Sequence, residues 1–109
     1  MTVEERLEKL ERELAALKTD NDAIKAQGFV LEDATGHVRA KLTIVGDGSG
    51  LSLFDDNGKQ RVGLSMAKDG SSFTLFDKNT RIRASMIVTE NGPLFVLRDE
   101  NGNTIWAAP

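Results

Sequence analysis

Residues 50–71 read "GLSLFDDNGKQRVGLSMAKDGS", and the reading of "DDNG" at their centre decides the fold. Two aspartates, an asparagine and a glycine in a row fit a fragment of a calcium loop, the acidic end of an active site, or a place where the chain turns round. The surrounding pattern chooses among these. Written in lines of 22 residues, the chain repeats without a gap. The lines are "GFVLEDATGHVRAKLTIVGDGS" from Gly28, the quoted stretch from Gly50, "SFTLFDKNTRIRASMIVTENGP" from Ser72 and a shortened "LFVLRDENGNTIWAAP" from Leu94. Phe29, Leu51, Phe73 and Phe95 share one column, and Leu31, Leu53, Leu75 and Leu97 another. Asp33, Asp55, Asp77 and Asp99 form a third. Gly36, Gly58 and Gly102 form a fourth with Thr80 as its exception; Arg39, Arg61 and Arg83 form a fifth, where the last line has Ile105.

Within one repeat, Phe29, Leu31 and Asp33 alternate with Val30 and Glu32, and Val38, Ala40, Leu42 and Ile44 alternate with Arg39, Lys41 and Thr43. A period of two is the signature of strands. Between them stands Asp-x-x-Gly, which carries the residue types of a type I turn. The other connections, "GDGS", "KDGS" and "ENGP", are also turn-like. Both joints are short, so consecutive strands are expected to be antiparallel neighbours in a meander of about eight strands. A loop over residues 34–37 sets Asp33 opposite Val38, Leu31 opposite Ala40 and Phe29 opposite Leu42. A slip of one residue would mix the faces. The same register pairs Glu32 with Arg39, Phe54 with Arg61 and Phe76 with Arg83 on the outer face. The acidic cluster is thus accounted for by turning. An arginine column could instead bind anions such as phosphate or sulfated sugar.

The composition changes sharply near Gly28. Residues 1–27 lack glycine and are dominated by charged residues, Leu and Ala. Thr2 followed by Glu5 fits a capping box, and Gly28 fits a helix stop. Val3, Leu7, Leu10, Leu14, Leu17, Asn21 and Ile24 are spaced alternately by four and three, a heptad seam. So narrow a stripe on a helix of about 25 residues, roughly 38 Å long, suits another copy of itself better than a globular core. Arg6, Leu7, Leu10 and Glu11 match a pattern associated with three-stranded coiled coils, in which Arg6 of one helix pairs with Glu11 of another. Asn21 at an a position is the counter-signal for a dimer.

The expected fold is an N-terminal coiled-coil helix (residues 1–27) followed by an all-β domain (28–109) of hairpin repeats at 28–49, 50–71, 72–93 and 94–109. One face of the meander is rich in Phe, Leu, Ile, Val and Met and must be covered. A single chain could close into a small barrel. Alternatively, three sheets could turn their apolar faces together as a homotrimeric prism that continues the coiled-coil axis. The regular period favours the prism, with each hairpin adding a layer. The trimer interface then comprises Leu7, Leu10, Leu14, Leu17, Asn21 and Ile24 of the seam, with Phe29, Leu31, Leu51, Leu53, Phe73, Leu75, Phe95 and Leu97 inside the prism and Trp106 plugging its end.

The organisation resembles that of uncharacterised bacterial proteins with tandem "GLxLxDxNGKxRAxL" repeats and an "IW-x-A-P" ending; "GLSLFDDNGKQRVGL" and "TIWAAP" carry the likeness. In architecture it is similar to trimeric bacteriophage fibre and bacterial surface-fibre segments. That resemblance implies assembly into a fibre or surface structure, and it carries no catalytic residue across.

Little in the sequence supports catalysis. Among 109 residues there is no Cys or Tyr, and His37 is the only histidine. The serines have no Ser–His–Asp partners, and adjacent acids such as Asp55 and Asp56 cannot flank a glycosidic bond. "GDGSG" at residues 46–50 lacks the lysine and helix of a phosphate loop. No stretch completes a calcium loop. No catalytic residue, metal ligand or cofactor is predicted. A net charge of −3 argues against nucleic acid as partner. No apolar run approaches the ~18 residues that span a bilayer, and the N-terminus has no signal core, so the expected setting is cytoplasmic or part of a phage or surface assembly. Two function classes follow: a self-trimerising rod or fibre-like spacer, and an adhesin-like ligand-binding domain on a trimeric stalk, with Phe54, Phe76, Arg61 and Arg83 as its outer-face patch.

Overall fold

The computed structural model describes residues 1–20 and 23–109. One helix, α1 (Val3–Asp20), precedes eight strands: β1 (Gly28–Glu32), β2 (Val38–Val45), β3 (Gly48–Phe54), β4 (Gln60–Ala67), β5 (Gly70–Phe76), β6 (Ile82–Thr89), β7 (Gly92–Arg98) and β8 (Thr104–Ala108).

The helix starts where the capping box places it. The Glu5 amide donates to Thr2 Oγ1 at 3.1 Å, and Glu4 and Glu5 occupy the first turn, where acids suit the helix dipole. It ends earlier than the sequence suggests. Residues 23–27 are not helical, so α1 is about 27 Å long rather than reaching Gly28. The run Thr19-Asp20-Asn21-Asp22 consists of residues that compete with the helix for backbone hydrogen bonds. Leu7, Leu10, Leu14 and Leu17 lie on α1, whereas Ile24 falls beyond it and drops out of the helical seam. Asn21 lies outside the described residues.

The strands form one sheet in sequence order, β1 to β8, each antiparallel to the next. The sheet is open, with β1 and β8 as its edges; it does not close into a barrel. The long turns all stand along one side of the sheet and the two-residue turns (46–47, 68–69, 90–91) along the other.

Each long turn is tighter than predicted. The Asp33 amide donates to the His37 carbonyl at 2.9 Å and the Gly36 amide to the Asp33 carbonyl at 3.0 Å. This closes a loop of three residues, not four. Gly36 sits at φ 86°, a left-handed conformation that glycine adopts without steric cost. Asp33 therefore does not face Val38; Glu32 does, and a β-bulge then skips Arg39 so that Leu31 still faces Ala40. The bulge recurs in every long hairpin. Phe54 faces Gln60 and Phe76 faces Ile82, in place of the expected pairs with Arg61 and Arg83. After the first two of the two-residue turns the glycine is needed for another reason. A Cβ on Gly48 would stand 1.6 Å from the Met66 carbonyl oxygen, and one on Gly70 would stand 2.2 Å from that of Val88.

Beyond the bulges the register is that of the repeat. One row of facing residues crosses the sheet as Phe29, Leu42, Leu51, Leu64, Phe73, Met86, Phe95 and Ala108. A second row, nearer the long turns, is Leu31, Ala40, Leu53, Val62, Leu75, Ala84, Leu97 and Trp106. A third, nearer the two-residue turns, is Ile44, Ser49, Met66, Ser71, Val88 and Pro93. All three lie on one face, because residues two apart share a face. The opposite face is built on small and polar residues: one row there runs Val30, Lys41, Ser52, Gly63, Thr74, Ser85, Val96 and Ala107. The chain measures 75 × 37 × 18 Å. The smallest dimension is that of a single layer, whereas a folded domain is ordinarily at least two packed layers. Among the described residues, Val96 and Ser85 alone are buried.

Candidate functional site

The feature that calls for a partner is the apolar face. None of its three rows carries a charged residue, yet none of the described residues covers it. Leu31 is 63% exposed, Ile44 65%, Met66 60% and Trp106 49%. Phe29, Leu53 and Leu75 are exposed as well, and Leu51, Phe73, Phe95 and Leu97 are half-buried by their neighbours in the sheet. An uncovered face of this size is rare in a monomeric soluble protein and marks an interaction surface. The rows do not lie flat. A shallow trough opens over Ser49 and Ser71, walled by Leu64, Met66, Phe73 and Val88. At the far end of the face Trp106 meets Phe95 edge-on, with ring centroids 5.3 Å apart. The leucine stripe of α1 is exposed in the same way, from 52% at Leu7 to 60% at Leu10. Arg6 and Glu11 are exposed beside it.

The polar columns do structural work inside the chain. In each long turn, Oδ1 of the aspartate accepts hydrogen bonds from the amides two and four residues on, at 2.8–3.1 Å, as Asp55 does from Asn57 and Lys59. Oδ2 faces the column arginine: 3.4 Å for Asp33 and Arg39, 3.6 Å for Asp55 and Arg61, 3.5 Å for Asp77 and Arg83. The arginine also reaches forward. Arg61 Nε donates to the Phe76 carbonyl at 2.9 Å, and Arg83 Nε to the Arg98 carbonyl at 2.8 Å. The bulge makes this possible by freeing the arginine from a cross-strand pair. Each arginine thereby ties the turn of its own hairpin to the next hairpin. Arg39 is the exception; its Nε is buried without an acceptor.

These bonds hold the aspartates ionised. The Thr35 hydroxyl, bonded to Asp33 at 2.7 Å, is the largest influence that lowers Asp33 to about 2; the amides of His37 and Thr35 and the Arg39 guanidinium assist, against partial desolvation. Asp55, Asp77 and Asp99 are lowered mainly by the amides of Lys59, Arg81 and Asn103. Among the described residues no group of three or more His, Cys, Asp or Glu side chains stands together as a metal site. Among the described residues no helix is long and apolar enough to cross a membrane.

The outer-face residues named from sequence divide. Phe54 and Phe76 do lie on the face away from the apolar rows, but both are half-buried. Lys41, not Arg61, stands over the Phe54 ring, at 5.8 Å. Phe76 lies against Gly63, where an added Cβ would be 3.7 Å from the ring. Arg61 and Arg83 are engaged as described. His37 is an exposed turn residue whose Nδ1 lies 3.2 Å from the Thr35 hydroxyl. What sequence reasoning missed is the reach of the arginine to the next hairpin; the repeat column showed the residue, but only the bulge reveals its direction. No protein-family model matches the chain, and a search of curated proteins finds no match.

Proposed function

We propose that the protein is a non-enzymatic structural module that assembles with itself into a trimeric rod or fibre-like spacer. One observation carries this reading: the eight-stranded sheet leaves a continuous, uncharged apolar face uncovered along its whole length. Three copies would turn these faces towards a common axis as the sides of a prism. Three α1 helices would continue that axis as a coiled coil, burying Leu7, Leu10, Leu14 and Leu17. The placement of Arg6 and Glu11 on either side of the leucines favours three strands over two. Trp106 would close the interior at the far end. The likeness to tandem bacterial repeats and to trimeric fibre segments supports the same reading.

The test is subunit exchange. Nitrogen-15-labelled and unlabelled full-length chains are denatured together, refolded and weighed by native mass spectrometry. A trimer gives four isotopic species of one assembly; a single species of each mass at one chain overturns the proposal. The second reading, a ligand-binding domain on a trimeric stalk, rests on Phe54 and Phe76. Their contacts with Lys41 and Gly63 favour packing, so Phe54→Ser with Phe76→Ser is expected to destabilise the sheet.

A further inference from the structure

The two lateral rows of the apolar face alternate in size, and they do so out of step with each other. Along the row nearer the long turns, β2 and β6 carry Ala40 and Ala84, while β3 and β5 carry Leu53 and Leu75. Along the row nearer the two-residue turns the order is reversed: Ile44 and Val88 stand on β2 and β6, Ser49 and Ser71 on β3 and β5. Every one of these strands therefore offers a large side chain at one margin of the face and a small one at the other. Val62 with Met66 on β4 and Leu97 with Pro93 on β7 follow the same order less sharply.

Nothing inside one sheet requires this. The two rows are separated by the central row of Phe, Leu and Met, and their members do not face one another. Three copies related by rotation about an axis along the stacking of the strands do require it. Such a rotation brings the long-turn margin of one sheet against the two-residue-turn margin of the next, strand level with strand. Large then meets small at each level.

We propose, resting on the assembly reading above, that the occupant of the trough over Ser49 and Ser71 is a second copy of this chain, whose Leu53 and Leu75 seat there. In return, Ile44 and Val88 of the first copy lie over Ala40 and Ala84 of the second. The trough has the walls such a contact needs: Met66 stands between the two serines and Val88 beyond Ser71.

The experiment is a size-swap cycle in the full-length chain, read by light scattering and by the dependence of Tm on protein concentration. Ser49→Leu with Ser71→Leu fills the trough; in a single sheet Ser71 is exposed and Ser49 half-buried, so the change falls mainly on assembly. Leu53→Ala with Leu75→Ala removes the knobs. Each pair is expected to shift the concentration at half-assembly upward at least tenfold. All four changes together restore the size match at both levels and are expected to recover most of that loss. Losses that add, or a filled trough that leaves assembly unchanged, overturn the inference while a native trimer still stands. A native chain that is monomeric at all concentrations overturns both. Far-ultraviolet circular dichroism of each variant identifies failure to fold; the filled-trough pair, which adds side chains at sites that are not buried, then decides alone.

Discussion

Arg61 and Phe76 are 15 residues apart in sequence and belong to different hairpins, yet Arg61 Nε donates to the Phe76 carbonyl at 2.9 Å. The same guanidinium faces Asp55 at 3.6 Å. A planar fork serves both at once, and a lysine ammonium cannot reproduce that geometry. Arg61→Lys is expected to lower stability by about 1–2 kcal/mol in urea denaturation. Arg39 Nε has no acceptor, so Arg39→Lys is expected to cost less. Equal losses at the two positions would show that the forward bond contributes nothing.

The turn aspartates make the fold acid-sensitive. Asp33 is lowered to about 2, and Asp55, Asp77 and Asp99 are lowered too. A carboxylate depressed by folding contributes its full share above its unfolded value, near ~3.9. That share is lost as pH falls through that value towards the folded one, because the unfolded chain takes up protons first. Tm is expected to be level above about pH 5 and to fall steeply between about pH 4 and 2. Asp77→Asn should flatten part of this fall.

Two turn positions break or enforce the repeat by backbone geometry. Thr80 occupies the glycine column at φ 64°, where a β-branched side chain is strained by roughly 1–2 kcal/mol. Thr80→Gly is expected to raise stability by about 1 kcal/mol in thermal denaturation. Gly48→Ala should do the opposite, by about 2–3 kcal/mol, because its Cβ would stand 1.6 Å from the Met66 carbonyl oxygen. A Gly48→Ala protein as stable as the native one would refute the close approach.

Most of the sheet was legible because the 22-residue repeat states each column several times. Column identity fixed the strands, the turns and the pairs Phe29–Leu42 and Leu31–Ala40. The bulge at Arg39, Arg61 and Arg83 was not legible. Adding a residue after a shortened turn restores the same downstream register as a longer turn without a bulge, so hydrophobic alternation cannot separate the two. The error was confined to the strand ends at the long turns, that is, to the Asp33–Val38 pair and the outer-face pairs at Glu32, Phe54 and Phe76. The helix was misjudged at its end because Ile24 continues the heptad spacing, although the polar run from Thr19 to Asp22 has little helix propensity. The apolar face was visible as a pattern. The alternation in size at its margins emerges only once the strands place Ser49 with Leu53 on β3 and Ile44 with Ala40 on β2.

The central claim is that the apolar face is an interface between copies, and Leu64 stands at its middle, 42% exposed. Light scattering after size exclusion, on the native full-length chain and on Leu64→Asp, tests it most directly. The account predicts a native mass of three times 11.9 kDa and a fall to single chains, or loss of the sheet, in the variant. A native protein that runs as a single folded chain, with Leu64→Asp equally folded and equally monomeric, would contradict it.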